Sequence, residues 1–182
     1  MRGDRRRPIS SWAALATLAG VLACGSPRET RGATPGEDQW REFAGTWTAS
    51  GDRHTLLLES DRRAAIIEVA GSLQLESPSG PAMGFLAEAI ALSDTRTGLV
   101  GRAVWTDARG DRIFSDLTGA PVATGNRIAG AITGGTGRYA GAEGTYEFSW
   151  QYVIEAEEGA ISGRAVGLRG RLRAVQLHES NP

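Results

Sequence analysis

Apolar and polar residues alternate most clearly between residues 145 and 154, where one face of the chain is aromatic. Spaced two apart on that face are Tyr146, Phe148, Trp150, Tyr152 and Ile154. Side chains of a β-strand point alternately to opposite faces, so this pattern predicts a half-buried strand. We therefore expect Phe148 and Trp150 to be buried, and Ser149 and Gln151 to be more exposed.

Short runs of strand-forming residues, separated by turn signals, occupy the chain from Trp40 onward. The other predicted strands are 43–48, 54–59, 64–76 with a break near Gly71, 85–92, 99–106, 111–118, 128–133 and 161–173. A turn at 51–53 would separate the first two and leave His54 in solvent. Close turn spacing without a helical period predicts an all-β fold, a single antiparallel β-barrel of about eight to nine strands.

A glycine-rich connection, residues 134–141, precedes the aromatic strand. Its spacing is G-x-G-x-x-x-G and a strand follows it, whereas a dinucleotide-binding loop has G-x-G-x-x-G and opens a helix. We expect these glycines to adopt positive φ angles at a bulge or corner of the barrel.

The segment from Thr133 to Gly144 resembles a hairpin of the allene oxide cyclase and dirigent barrel superfamily. That hairpin carries a similar "GGTG, aromatic, G, A, x, G" pattern before a long strand. The resemblance implies an eight-stranded antiparallel barrel, often trimeric, with an apolar cavity. The cyclase's active-site pattern has no match in this sequence, so the resemblance assigns no catalytic residue.

The N-terminal residues are typical of an export signal. Basic residues at the start precede a mostly apolar run, residues 9–23, which is too short to span a membrane. Val21, Leu22 and Ala23 lead to Cys24, the one cysteine of the chain. This resembles the lipobox of bacterial lipoproteins, and implies that Cys24 becomes the lipid-modified first residue of the mature protein. The alternative is a plain secretory signal with an incidental cysteine.

The predicted organisation has four parts. Residues 1–23 are a signal peptide, 24–39 a flexible lipid-anchored tether, 40–174 the β-barrel domain and 175–182 a C-terminal tail. The expected location is the cell envelope, with the lipid on Cys24 holding the protein to a membrane. In a host with two membranes, this would be the outer membrane or the periplasmic face.

Composition excludes several functions. All basic residues are arginine, so a Walker A lysine and a Schiff-base lysine are excluded. The chain has two histidines, His54 and His178, and one cysteine, which argues against a His/Cys zinc site. We predict no cofactor and no metal. No basic patch with interleaved aromatic residues is present, so we expect no nucleic-acid partner.

The strands from residue 85 onward can be sorted by face. One face carries the larger aliphatic residues together with Glu88, Arg102 and Arg164, and we assign it to the barrel lumen. The other face is mostly alanine and glycine. Its lack of polar residues would be explained by cover from a second protomer, a terminal segment or a loop, so a homo-oligomer is one expectation.

Two hairpin registers place carboxylates beside Arg102. A five-residue loop at 93–97 would set Glu88 opposite Arg102, and a three-residue loop at 108–110 would set Asp116 opposite it. We predict that Glu88, Arg102 and Asp116, joined by Arg164, form the polar floor of a ligand pocket. A structural ion row is the other interpretation. No catalytic residue is predicted.

Two functions follow from a barrel of this size, which can be filled by side chains or hold one small ligand. The first is a membrane-anchored extracytoplasmic lipoprotein that is structural or binds one small apolar ligand. The alternative is a cyclase-type or isomerase-type enzyme that uses lumenal Glu, Arg and Asp side chains.

Overall fold

The computed structural model describes residues 40–78, 80–122 and 125–173, which form an eight-stranded sheet with one short helical turn. The strands are β1 (Arg41–Leu57), β2 (Arg63–Ser77), β3 (Gly80–Asp94), β4 (Gly98–Asp107), β5 (Arg112–Val122), β6 (Gly125–Gly135), β7 (Glu143–Glu155) and β8 (Ala160–Arg173). A 3-10 turn, Gly137–Tyr139, lies between β6 and β7. The predicted signal peptide, tether and tail lie outside the described residues.

The sheet is a closed antiparallel barrel. Each strand pairs with the next along the chain, and β8 pairs with β1. The prediction of an all-β antiparallel barrel is confirmed. At one end of the barrel, called here the open end, β1, β3, β5 and β7 end and β2, β4, β6 and β8 begin. The other end, called the closed end, carries the 3-10 turn and the first residue of β1.

The predicted turn at 51–53 is wrong, and the first two predicted strands form the single strand β1. Gly51 pairs with Val69 on one side and with Ile161 on the other. A Cβ atom at Gly51 would lie 2.0 Å from the carbonyl oxygen of Glu68. Glycine at this position therefore permits a close approach of two strands. His54 is exposed as expected, but within a strand.

The lumen is packed with aromatic rings. Trp47 lies 5.1 Å from Trp150 and 5.8 Å from Phe148, and Trp105 lies 4.8 Å from Tyr146, measured between ring centroids. These residues are buried, as are Phe43 and Phe85. The predicted burial of Phe148 and Trp150 is thereby confirmed.

One buried hydrogen bond crosses this aromatic core. The hydroxyl groups of Ser115 and Tyr146 lie 2.7 Å apart. Burial raises the pKa of Tyr146 to about 12, so its phenol stays protonated across the physiological range. The bond fixes the Tyr146 ring in the middle of the lumen.

The assignment of the larger-residue face to the lumen is wrong for β3, β4 and most of β8. Ala87, Ala89, Ala103 and Ala165 point inward and are buried. The outer face carries Leu86, Ile90, Leu92, Val100 and Val166, all exposed. Aromatic rings from other strands fill a narrow lumen, so only small side chains fit opposite them. For β6 the assignment is confirmed, because Ile128 and Ile132 are buried.

The glycine-rich connection has the geometry expected of a corner. The φ angles of Gly137 and Gly141 are 52° and 69°. The register between β5 and β6 shifts beside this connection, between Phe114 and Ser115. The predicted positive φ angles and bulge are therefore confirmed, and the turn leads into a strand.

An ion pair between an exposed arginine and a buried carboxylate joins this connection to the closed end. The Asp107 side chain is almost inaccessible to solvent, and its Oδ2 lies 2.5 Å from a guanidinium nitrogen of Arg138. Its Oδ1 accepts hydrogen bonds from the backbone N–H groups of Arg109 and Asp111, at 2.8 Å and 3.0 Å. Burial acts to raise the pKa of Asp107, but these donors and Arg138 outweigh it and lower the pKa. Next to Arg138, Tyr139 packs 5.9 Å from Phe85, measured between ring centroids.

Candidate ligand pocket at the open end of the barrel

An apolar pocket lies in the lumen at the open end of the barrel. Its volume is about 50 Å³, and it is lined by residues from β1 to β7: Trp47, Ile67, Val69, Ala89, Ala91, Leu99, Leu117, Asn126, Ile128, Phe148, Trp150 and Tyr152. Two tryptophans thus form part of the wall. Asn126 and Tyr152 are the other lining residues with polar side-chain atoms. The chemistry of the wall suits an apolar occupant.

The size of the pocket limits what can enter it. An engineered cavity of ~150 Å³ in another protein takes up benzene, and one water needs ~10–15 Å³. At about 50 Å³, this pocket admits an alkyl group or a single apolar atom. A larger chemical group would remain outside, at the opening of the pocket. Deeper in the lumen, a void of about 10 Å³ lies beside Trp105 and Tyr146, whose ring centroids are 4.8 Å apart. The barrel is therefore packed at this level.

The rim of the pocket is polar on one side. The Arg53 guanidinium lies 5.7 Å from the centroid of the Tyr152 ring and forms an ion pair with Glu155. Burial raises the pKa of Tyr152, with Arg53 acting in the opposite direction. The rim thus presents a guanidinium and a neutral phenol beside the apolar pocket.

The indole N–H of Trp47 is buried and has no acceptor among the described residues. A buried donor without a partner costs about 1–3 kcal/mol. Trp47 is also a wall residue of the pocket. An occupant with an oxygen atom in reach of this donor would remove that cost.

The predicted row of Glu88, Arg102 and Asp116 is only partly formed, and it lies on the outer surface. Arg102 pairs with Asp116 as predicted, with 3.0 Å between Nε and Oδ1, but the exposed fractions of these side chains are 66% and 47%. Glu88 pairs with Val104, and Ile90 occupies the position opposite Arg102. The lumenal location is therefore wrong for all three residues.

The register error comes from the turn after β3. Asp94 pairs with Gly98, so the loop has three residues and not five. The Asp94 carboxylate accepts a hydrogen bond from the Arg96 backbone N–H at 2.8 Å, and Gly98 adopts a φ of 86°. This side-chain bond and the glycine permit the tighter turn, which moves Glu88 past Arg102 by two residues.

Arg164 does not join the row. It lies exposed on the outer face of β8, where it pairs with Thr48 and Gln151. In this barrel β8 is on the opposite side from β4. A ligand role for Glu88, Arg102, Asp116 and Arg164 stays a prediction, and any such ligand would bind outside the barrel. The cyclase or isomerase alternative required these groups in the lumen, so their exposed positions do not favour it.

The residues that line the pocket were not predicted as a site. One signal in the sequence could have indicated them: Phe85 and Trp105, the largest side chains of β3 and β4, share a face with the alanines of those strands. Aromatic residues on the same face as alanines are expected in a filled lumen, because a large ring from one strand leaves room only for a small side chain on the strand that faces it. In β3 and β4, the interior face is therefore the one with the aromatic residue, although the other face has the larger aliphatic residues.

Within residues 40–78, 80–122 and 125–173, no group of three or more His, Cys, Asp and Glu side chains is placed to hold a metal ion. No helix in these ranges is long and apolar enough to cross a membrane.

Comparison with known proteins finds a likeness among solved structures and none among family models or curated sequences. No model of a protein family and no curated protein sequence matches this chain. Among solved structures, the chain is similar to the pterocarpan synthase dirigent protein GePTS1, with 13% sequence identity and a TM-score of 0.43. The match covers 81% of this chain and 99% of that one. At this level the match carries no inference about activity, and the barrel is established by its own hydrogen-bond registers.

Proposed function

We propose that this protein is a lipid-anchored protein of the cell envelope whose barrel binds the apolar end of one small molecule. The observation that carries the proposal is the apolar pocket at the open end, with Trp47 and Trp150 in its wall. Below it the lumen is packed, so the barrel acts as a rigid support for a shallow binding site. Its volume favours an alkyl group over a fused ring system.

The polar rim supports an occupant with one polar end. An alkyl group in the pocket would leave its head group near Arg53 and Tyr152, where a guanidinium and a phenol can donate hydrogen bonds. The amphiphilic ligand class that fits is therefore a short-chain alcohol, ester or acid.

The proposed anchor is compatible with access to the pocket. The described chain enters the barrel at the closed end, where Arg41 pairs with Leu172 and Trp40 lies under the guanidinium of Arg171 at 4.9 Å. The pocket is at the other end. The chain thus joins the barrel at the end away from the mouth of the pocket.

The anchor predicts a modified N-terminus. We expect mass spectrometry of the membrane fraction to show a mature protein that begins at Cys24 with a diacyl or triacyl modification. A Cys24→Ser variant should lose the lipid and leave the membrane fraction. A mature N-terminus at another residue, or an unmodified Cys24 in a soluble product, would contradict the anchor without affecting the pocket.

The pocket predicts saturable binding of a small amphiphile. With 1-hexanol as the probe, the indole N–H signals of Trp47 and Trp150 should shift in ¹⁵N NMR spectra and saturate, while that of Trp105 should not move. Ala91→Phe fills the pocket and should abolish the shifts. Leu92→Phe places the same phenyl ring on the outer face of the same strand, so it should leave them unchanged.

Either of two results would overturn the pocket as a binding site. One is the absence of any saturable shift of Trp47 and Trp150. The other is an equal shift in wild type and Ala91→Phe, which would place the probe elsewhere.

A further inference from the structure

At the open end, strand β1 extends past its neighbour β8. It pairs with β2 as far as Leu57 opposite Arg63, but with β8 only as far as Asp52 opposite Ala160. A last backbone bond on the β8 side joins the N–H of Arg53 to the carbonyl oxygen of Gly159 at 2.8 Å. Beyond it, no described residue pairs with that side of β1. Residues 54–57 are therefore an edge strand, called here the β1 edge.

The backbone groups that the β1 edge leaves unpaired can be identified. Backbone N–H and C=O groups of successive residues in a strand point to opposite sides. Arg53 donates toward β8, so Thr55 and Leu57 direct their N–H and C=O groups to the same open side. Leu58 donates to the carbonyl oxygen of Arg62 in the hairpin turn, which agrees with this alternation.

The side chains of this segment do nothing to protect the edge. Leu56, Leu57 and Leu58 are 56%, 67% and 48% exposed. No charged residue and no proline lies between Arg53 and Glu59. Proteins usually guard an open edge with charged side chains, proline or a bulge, because an exposed apolar edge pairs with another strand.

We propose that the β1 edge pairs antiparallel with the β1 edge of a second copy of this chain, centred on Leu56. In this register Leu56 lies opposite the partner's Leu56, and Thr55 lies opposite the partner's Leu57. Each of these Thr–Leu pairs exchanges two N–H···O bonds between the groups that are open in the monomer. A two-fold axis through the central leucines generates both pairs, as in an isologous dimer.

The open backbone groups favour a second copy of this chain over an unrelated extended peptide. Thr55 and Leu57 are the open residues of each β1 edge, and this register joins all of them in two pairs. Registers shifted by two residues join a single pair, because they set Leu57 opposite Arg53, whose N–H already bonds to Gly159, or Thr55 opposite Glu59, which lies beyond the end of β1. The segment is thus self-complementary in hydrogen bonds and leucines in one register. The dimer is independent of the proposed ligand and of the lipid anchor.

A cysteine pair tests the register directly. In the full chain with Cys24→Ser, purified in mild detergent, Leu56→Cys places two thiols across the axis, with Cα atoms ~4.5 Å apart. That separation lies within the disulfide range of ~4.4–6.8 Å. Leu58→Cys is the matched control, on the same face and similarly exposed, but the two thiol-bearing residues would be offset by ~13 Å along the strands. Under mild oxidation, Leu56→Cys should form covalent dimers at least ten times faster.

A backbone substitution tests the hydrogen bonds. Thr55→Pro removes an N–H that points to the open side and is not needed by β2, whereas Thr55→Val keeps it. Sedimentation equilibrium should show dimer dissociation constants roughly tenfold or more higher for Thr55→Pro than for Thr55→Val. Circular dichroism of both variants should match that of the wild type.

Three results would overturn the proposal. They are equal crosslinking of Leu56→Cys and Leu58→Cys, the absence of crosslinks in both, and equal dissociation constants for the two Thr55 variants. A β1 edge covered by another part of its own chain would give the second of these results.

Discussion

Trp105→Ala is expected to lower the free energy of unfolding by about 3–5 kcal/mol. The indole is 4% exposed and packs against Phe43, Phe85 and Tyr146, with ring centroids 6.3 Å, 6.1 Å and 4.8 Å away. These neighbours come from three strands, so they cannot collapse into the space without distorting the barrel. Domains of this size have a free energy of unfolding of about 5–15 kcal/mol, so this loss is a large share of the total stability. Urea unfolding followed by circular dichroism would measure it.

Arg102→Ala is the matched control in the same strand. Its partner Asp116 and its own side chain are both solvated, and exposed ion pairs contribute about 0–1 kcal/mol. We expect the unfolding midpoint of Arg102→Ala to stay close to that of the wild type. A loss for Arg102→Ala as large as that for Trp105→Ala would contradict the assignment of the faces.

Gly130→Ala is expected to cost about 2–4 kcal/mol, although it adds a single methyl group. Gly130 pairs with Tyr146, and a Cβ atom at this position would lie 2.1 Å from Cζ of the tyrosine ring. The ring must move, and its hydroxyl then loses the 2.7 Å hydrogen bond to Ser115. Both partners of that bond are buried, so the loss leaves polar groups unsatisfied.

The control for this substitution is Gly84→Ala. Gly84 is exposed, and a Cβ atom there would have no neighbour within 4 Å. Alanine restricts the unfolded chain more than glycine does, so the variant should be as stable as the wild type or more stable by ~0.5–1 kcal/mol. If Gly130→Ala and Gly84→Ala have the same thermal unfolding midpoint, the Tyr146 ring does not pack over Gly130.

Local features of the sequence predicted the barrel and one of its registers. The alternation around Trp150 identified β7, and Gly110 fixed the three-residue turn that sets Arg102 opposite Asp116. Gly110 has a φ of 87°, which is the conformation that glycine adopts without strain. Such information is contained in a few neighbouring residues, so it can be extracted from the chain without its tertiary context.

The direction of the lumen could not be obtained in this way. Whether Ala89 or Ile90 faces inward depends on how much volume Trp47 and Trp150 already occupy from distant strands. The pocket has the same origin, since its wall is assembled from β1 to β7. The turn at Asp94 adds a side-chain hydrogen bond that loop length alone does not reveal, and it displaced Glu88 from the predicted row.

The most direct test of the proposed site is a crystal structure of the protein derivatised with xenon under pressure. Xenon enters dry apolar cavities of suitable size and is located by its strong scattering. We predict one well-occupied site at the open end, in contact with Trp47, Ala91 and Trp150. Xenon bound only on the outer face, near Leu92 and Val100, or an empty pocket at full pressure, would contradict the account.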